Sequence, residues 1–198
     1  IMTHDSVGRK EARLRAVRLL GDVEIPEPEK RCDDYPHQLS GGMRQRVMIA
    51  MAVSCGPAVL LADEPTTALD VTVQARILDL LSRFREEREM ALLLVTHDLG
   101  IVAQESHRVA VMYLGRIVET ASTGEIFARP LHPYTRALLE SIPRPGEGKE
   151  RLETIPGAVP DLSHIPPGCS FHPRCPLAED ICRGEKPTSR EIVPGHWV

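Results

Sequence analysis

The chain has 198 residues, 24 basic against 28 acidic, for a formal charge of −4, and 42% of its residues are hydrophobic. These figures fit one soluble globular domain of ordinary size plus an appendage. Aromatics at 4% and an acidic balance leave neither the basic field nor the stacking platforms of nucleic-acid binding, so no nucleic acid is expected as a partner. The longest uninterrupted apolar run, residues 47–53, falls far short of the roughly 20 residues of a membrane-spanning helix. The opening Ile1-Met2-Thr3-His4-Asp5 lacks the basic and apolar regions of a signal peptide. Five cysteines, two of them isolated in the front half, do not make a disulfide framework and point to a reducing cytosol.

Ala12, Ala16, Leu19, Leu20 and Val23 recur at helical spacing among charged residues, which predicts an amphipathic helix over 9–20 that Gly21 ends. A polar, proline-bearing stretch over 25–38 leads into Leu39-Ser40-Gly41-Gly42-Met43-Arg44-Gln45-Arg46, and a buried helix capped by Ser40 is expected after it. Gly56-Pro57 breaks that helix. The apolar run 58–62 then delivers Asp63 and Glu64 and reads as a buried parallel strand. A helix over 73–89, with Ile77, Leu80, Leu81 and Phe84 on one face, precedes a second apolar run, 91–95, that delivers Thr96-His97-Asp98. Strand, helix and strand in this order imply a βαβ unit. Residues 109–113 and 116–119, separated by Leu114-Gly115, read as a terminal hairpin. Beyond Pro130 lie most of the 17 prolines and three of the five cysteines. A boundary is therefore expected near Ala128, followed by a helix around 134–141 and an irregular tail.

Apolar strands ending in acids at the carboxyl edge of a parallel sheet form the usual site for a phosphate ligand and its magnesium. Asp63 is placed to hold the metal through water, and Glu64 to orient or deprotonate an attacking water. Read alone, Asp-Glu-Pro is equally a charged turn after a strand. Ser40-Gly41-Gly42 opens a helix, so its amides and the positive end of the dipole can receive an anion, and the glycines carry no Cβ to obstruct it. A lone Ser-Gly-Gly would be only a cap. His97, at the end of the neighbouring strand, is placed to reach a γ-phosphate, although a lone histidine there is more often structural.

Taken together, these motifs resemble the ATP-binding-cassette family. LSGGMRQR matches its signature motif, VLLADEP its Walker B strand with the catalytic glutamate, TTALD its D-loop and VTHD its switch-histidine loop, in the family's order and spacing. The resemblance implies an α/β P-loop NTPase fold. Ser40, Gly41 and Gly42 would bind the γ-phosphate of an ATP held by a paired ATPase subunit, while Asp63 serves Mg2+. Glu64 would be the catalytic base, Asp70 would communicate across the dimer, and His97 would contact the γ-phosphate and the attacking water. Met43 stands where the signature often has Gln, a change associated with peptide importers. A phosphate-cradling G-x-x-x-x-G-K-[ST] is absent, because Gly148-Lys149 is followed by Glu150, and the glutamine loop and adenine-stacking aromatic are missing too. The chain therefore reads as an N-terminally truncated cassette domain over 1–128 with a Pro/Cys-rich extension over 129–198. As it stands, it cannot cradle its own ATP.

The tail narrows the resemblance. RPLHPYT from Arg129, IPGAVP from Ile155 and PGCSFHPRCP from Pro167 look like the C-terminal extension of oligopeptide and dipeptide importer ATPases. Such a subunit works at the cytoplasmic face of the plasma membrane with two permeases and an extracytoplasmic peptide-binding protein. Cys169, Cys175 and Cys182 are spaced C-x5-C-x6-C, and thiolates gathered in a loop-rich tail can bind soft metal. The resemblance implies a [4Fe-4S] cluster in some members. Zinc held with His172 or His196, and free structural cysteines, are the alternatives. Cys32 and Cys55 lack partners and are expected to be packed. Two rival functions remain: a soluble cassette ATPase unconnected with transport, and a non-catalytic piece that lends only its signature face to a partner.

Overall fold

The long central helix collects the core of the first half of the chain. In a computed structural model, which describes residues 1–67, 69–142 and 154–198, the chain divides into two compact units, 1–97 and 98–198. The boundary expected near Ala128 is a division by composition and lies inside the second unit. Ala68 of the D-loop string and the Gly148-Lys149 pair fall outside the described residues.

The first unit runs α1 (Arg9–Asp22), α2 (Pro28–Arg31), α3 (Gly41–Val53), β1 (Val59–Asp63), α4 (Val71–Glu87) and β2 (Ala91–Val95). Helix α1 continues through Gly21 to Asp22, because the left-handed turn falls on Glu24 (φ 58°). The Val23 and Ile25 amides close the helix end on the Leu19 and Leu20 carbonyls. The polar stretch after it is not wholly irregular, since it holds α2 and a 3-10 turn over Pro36–Gln38. Helix α4 starts two residues earlier than expected because the Asp70 carboxylate accepts from the Val73 amide at 3.0 Å, as an N-cap does. Its Ile77, Leu80, Leu81 and Phe84 are all buried against Val53, Leu60 and Met90. At about 25 cal/mol per Å2 of apolar surface, this cluster is the principal stabilising element of the unit.

Strands β1 and β2 pair in parallel, with Val59 opposite Ala91 and Asp63 opposite Val95, as the βαβ reading requires. They are not buried on both faces: Leu60 and Ala62 turn inward, whereas Val59, Leu61, Leu93 and Val95 are more than half exposed. Helix α3 is likewise one-sided. Ile49, Ala50 and Val53 are buried, while Met48 and Met51 face solvent. Cys32 is half-buried and Cys55 exposed, so the packing expected of both holds only in part. The chain turns outward beside Cys55, where Gly56 takes a left-handed conformation (φ 60°). Both cysteines border a cavity of about 620 Å3, together with Leu19, Leu20, Val47 and Met51.

The second unit runs α5 (Leu99–Glu105), β3 (Arg108–Tyr113), β4 (Arg116–Ser122), α6 (Thr123–Ala128), α7 (Pro133–Glu140), α8 (Ile181–Gly184), β5 (Glu191–Val193) and β6 (His196–Trp197). The β3–β4 hairpin turns at Leu114-Gly115, both with positive φ, but it is not the last element of its sheet. The tail returns two short strands, giving the order β3-β4-β6-β5. Helix α7 lies one residue from its expected place. Phe171 packs against Tyr113 and Tyr134 with ring centroids 5.2 and 5.5 Å apart, so the tail has a core residue of its own. No helix among the described residues is long and apolar enough to cross a membrane.

Candidate active site

The parallel register of β1 and β2 sets their carboxyl ends side by side, and the polar residues that follow meet there. His97 Nδ1 lies 2.9 Å from Glu64 Oε1, and the Thr67 hydroxyl donates to Glu64 Oε2 at 2.7 Å. Both carboxylate oxygens are thus engaged. His97, then Thr67, hold the Glu64 carboxyl below the ordinary carboxylate range, so Glu64 is ionised at neutral pH and the ring nitrogen donates. The pair is open to solvent, with side-chain exposures of 79% for His97 and 43% for Glu64. Glu64 has φ 44°, a left-handed conformation that costs a non-glycine residue about 1–2 kcal/mol. Its backbone is pinned in compensation: the Glu64 amide donates to the Val95 carbonyl at 2.9 Å, and the Thr67 amide to the Glu64 carbonyl at 3.2 Å.

Asp63 ends β1 and is exposed. An exposed carboxylate beside an occupied one suits a hard cation with oxygen ligands. Ser40 caps α3 as expected, accepting from the Met43 amide at 3.3 Å. Gly41 has open space where a Cβ would be, so an anion can approach the helix end. Gly42 packs against Val73, whose Cγ1 would lie 3.1 Å from an added Cβ, so the start of α3 abuts the first turn of α4 that Asp70 caps.

Three side chains in this region escaped the reading from sequence. Thr67 is signalled only by its spacing of three from Glu64. Gln45 donates from Nε2 to the Pro65 carbonyl at 2.7 Å. Arg46 reaches the Val23 and Glu24 carbonyls at 3.3 and 3.1 Å. The last two contacts span 20 positions or more, a distance over which local pattern carries no information.

In the second unit, Cys169, Cys175 and Cys182 are free and half-buried. The Cys169 amide donates to the Cys182 carbonyl at 2.9 Å, and Gly168 has a left-handed φ of 68° with no room for a Cβ, which would lie 2.3 Å from that carbonyl. Burial pushes the Cys175 thiol up, and the neighbouring Cys169 and Cys182 add to the effect. The three cysteines are neighbours, yet no three His, Cys, Asp or Glu side chains among the described residues are grouped to hold a metal ion. His196 Nε2 lies 2.7 Å from Glu119 Oε1. His172 Nδ1 lies 2.9 Å from the Cys169 carbonyl.

An ionised carboxylate latched to an imidazole at the carboxyl edge of parallel strands, near a glycine-opened helix, is an arrangement that α/β domains use to bind phosphate ligands. The ABC transporter family model matches residues 2–67, and that of the oligopeptide/dipeptide transporter C-terminal region matches residues 118–182. The chain is thus similar in its first part to ATP-binding-cassette proteins and in its later part to the C-terminal region of oligopeptide/dipeptide transporters. It is 51% identical over 195 residues to the dipeptide transport ATP-binding protein DppD of Escherichia coli, covering 98% of this chain and 60% of that protein. It is 53% identical over 197 residues to the probable peptide ABC transporter ATP-binding protein y4tR of Sinorhizobium fredii, covering 99% of this chain and 59% of that one. The chain thus spans about 60% of the length of these curated relatives. Among solved structures, the ATP-binding cassette MJ0796, a dimer in a post-hydrolysis state bound to ADP and Pi, matches with a TM-score of 0.52 at 33% identity. That match covers 59% of this chain and 49% of that one.

Proposed function

We propose that the chain serves in the ATP-binding subunit of an importer that couples ATP hydrolysis to uptake of di- or oligopeptides. The Glu64–His97 pair carries the catalytic half of this reading, and the match of residues 118–182 to the oligopeptide/dipeptide transporter region carries the transport half. Glu64 is the group that takes a proton from the attacking water, because it is ionised and solvent-accessible; accepting that proton requires one oxygen to exchange its present donor for water. His97 holds the other oxygen and steadies the carboxylate's orientation. Asp63 is the residue for Mg2+, which would neutralise charge on the phosphates. Ser40, Gly41 and Gly42 present the α3 amides to the γ-phosphate of an ATP bound by a paired ATPase subunit, and Asp70 lies at the dimer face. Support for the pairing comes from the dimeric state in which MJ0796 was solved.

Two permeases, an extracytoplasmic peptide-binding protein and a peripheral position on the cytoplasmic face of the membrane complete the reading, supported by the transport names of the relatives. A [4Fe-4S] cluster on Cys169, Cys175 and Cys182 is supported by their sequence spacing alone, since the described side chains are not grouped to hold a metal ion, and iron analysis of protein purified without oxygen tests it. A protein without iron returns the three thiols to a structural role. The decisive test of the function uses the complete subunit in its assembled transporter. Glu64→Gln keeps the shape but not the basicity, so hydrolysis is lost while ATP binding persists. Hydrolysis at the wild-type rate in that variant removes Glu64 from the base role.

A further inference from the structure

We infer that Gln45 is a positioning residue for Glu64, transmitting the position of helix α3 to the turn that carries the catalytic carboxylate. The inference rests on the ATPase reading above and adds a residue to which that reading gives no role. Gln45 stands one helical turn after Gly41, so it moves with the end of α3 where an anion docks. Its Nε2 donates at 2.7 Å to the carbonyl of Pro65, the residue directly after Glu64. Pro65 and Thr66 are buried, whereas Glu64 and Thr67 on either side are exposed. A buried carbonyl needs a donor, and proline supplies no amide to the turn.

The geometry makes this bond more than the satisfaction of one carbonyl. Glu64 occupies a left-handed backbone conformation (φ 44°), which persists only where its surroundings impose it. On the strand side the Glu64 amide is fixed to Val95, and on the far side the Thr67 amide returns to the Glu64 carbonyl. Gln45 supplies a third restraint from a different element. A shift of α3 along its axis pulls on the Pro65 peptide and rotates the Glu64 carboxylate relative to His97 and Thr67. In a paired arrangement the start of α3 serves the partner's nucleotide while Glu64 serves its own. Gln45 therefore links occupancy of one site to readiness of the other.

The test is steady-state ATP hydrolysis by the complete subunit in its assembled transporter. Gln45→Ala is expected to lower kcat about fivefold, the weight of one neutral hydrogen bond, with KM for ATP changed less than about twofold. Gln45→Glu keeps the length, loses the donor and behaves like the alanine variant. Gln45→Lys restores a donor and recovers most of the activity. Thermal midpoints measured in parallel separate positioning from folding, because a structural role moves the midpoint while leaving kcat of the folded fraction intact. An unchanged kcat in Gln45→Ala, or a loss that follows KM or the folded fraction, overturns the inference. A wild-type assembly that does not hydrolyse ATP instead overturns the functional reading, and this role with it.

Discussion

Glu119 and His196 meet at 2.7 Å with side-chain exposures of 0% and 1%, 77 positions apart in the chain. The same carboxylate accepts the Leu131 amide at 2.7 Å and the His132 amide at 3.0 Å, and so holds the start of the His132-Pro133-Tyr134-Thr135 segment. A buried carboxylate is tolerated only when its oxygens are filled with donors, and here donors arrive from two separate stretches of chain.

Glu119→Gln places an NH2 group against donors that need an acceptor, and is expected to destabilise the second unit by about 2–4 kcal/mol. Urea denaturation followed through the Trp197 fluorescence reads the change. The pH dependence follows from two depressed pKa values. Burial raises the Glu119 carboxyl, but the nearby Thr135 hydroxyl and the hydrogen bonds from Leu131, His196 and His132 outweigh it and leave it below the ordinary range; burial likewise lowers His132. Each folded-state pKa lies below its unfolded value, so the stability that each group contributes is present above about pH 4.3 for the carboxyl and about 6.5 for the imidazole. It is lost as the pH falls through the lower folded values. Glu119→Gln should abolish the lower of these two acid losses, and an unchanged acid limb would rule out Glu119 as its source.

Thr67→Val removes the donor to Glu64 Oε2 and keeps the side-chain shape. His97 and Thr67 together hold the Glu64 carboxyl low, so losing Thr67 raises it towards the ordinary carboxylate value. The acid limb of the pH–rate profile of the complete subunit should move to higher pH. A limb that stays in place separates Thr67 from the electrostatics of Glu64.

Gly168→Ala introduces a Cβ 2.3 Å from the Cys182 carbonyl oxygen at a left-handed φ, so backbone must move. The expected result is a cost of at least about 2 kcal/mol and faster cleavage of the tail by protease. Gly21→Ala is the control. Gly21 lies inside α1 with nothing within 4 Å of its added Cβ, and the change should stabilise the helix by about 0.8 kcal/mol. Equal proteolysis in both variants would dismiss the tight approach at Gly168.

Periodicity carried most of the secondary structure, because the buried positions of α4 repeat every three or four residues and the two apolar runs leave a strand little alternative. The sequence-level placing of Glu64 and His97 at adjacent strand ends followed from the βαβ rule alone. Two kinds of feature were illegible. The exposed outer positions of β1 and β2 depend on what covers each face, and an apolar run reads the same whether or not its second face is packed. The contacts of Gln45 with Pro65 and of Glu119 with His196 are long-range, and β5 and β6, at three and two residues, are too short for alternation to register. The end of α1 shows a local failure: glycine was the obvious stop, yet the chain assigned the left-handed turn to Glu24, where Arg46 holds the backbone carbonyl.

The position of β6 between β4 and β5 has a consequence for the time course of synthesis. The β3–β4 hairpin is complete once Ser122 has been made, but the neighbour that covers its open edge comes from residues 196 and 197. Until those residues leave the ribosome, Glu119 lacks its His196 partner and β4 keeps an unpaired edge, the kind of surface on which nascent chains aggregate. The second unit therefore matures after translation of its last strands, and a ribosome stalled once the hairpin has emerged but before residue 196 is made should display a chain whose hairpin is formed but whose sheet is still unfinished.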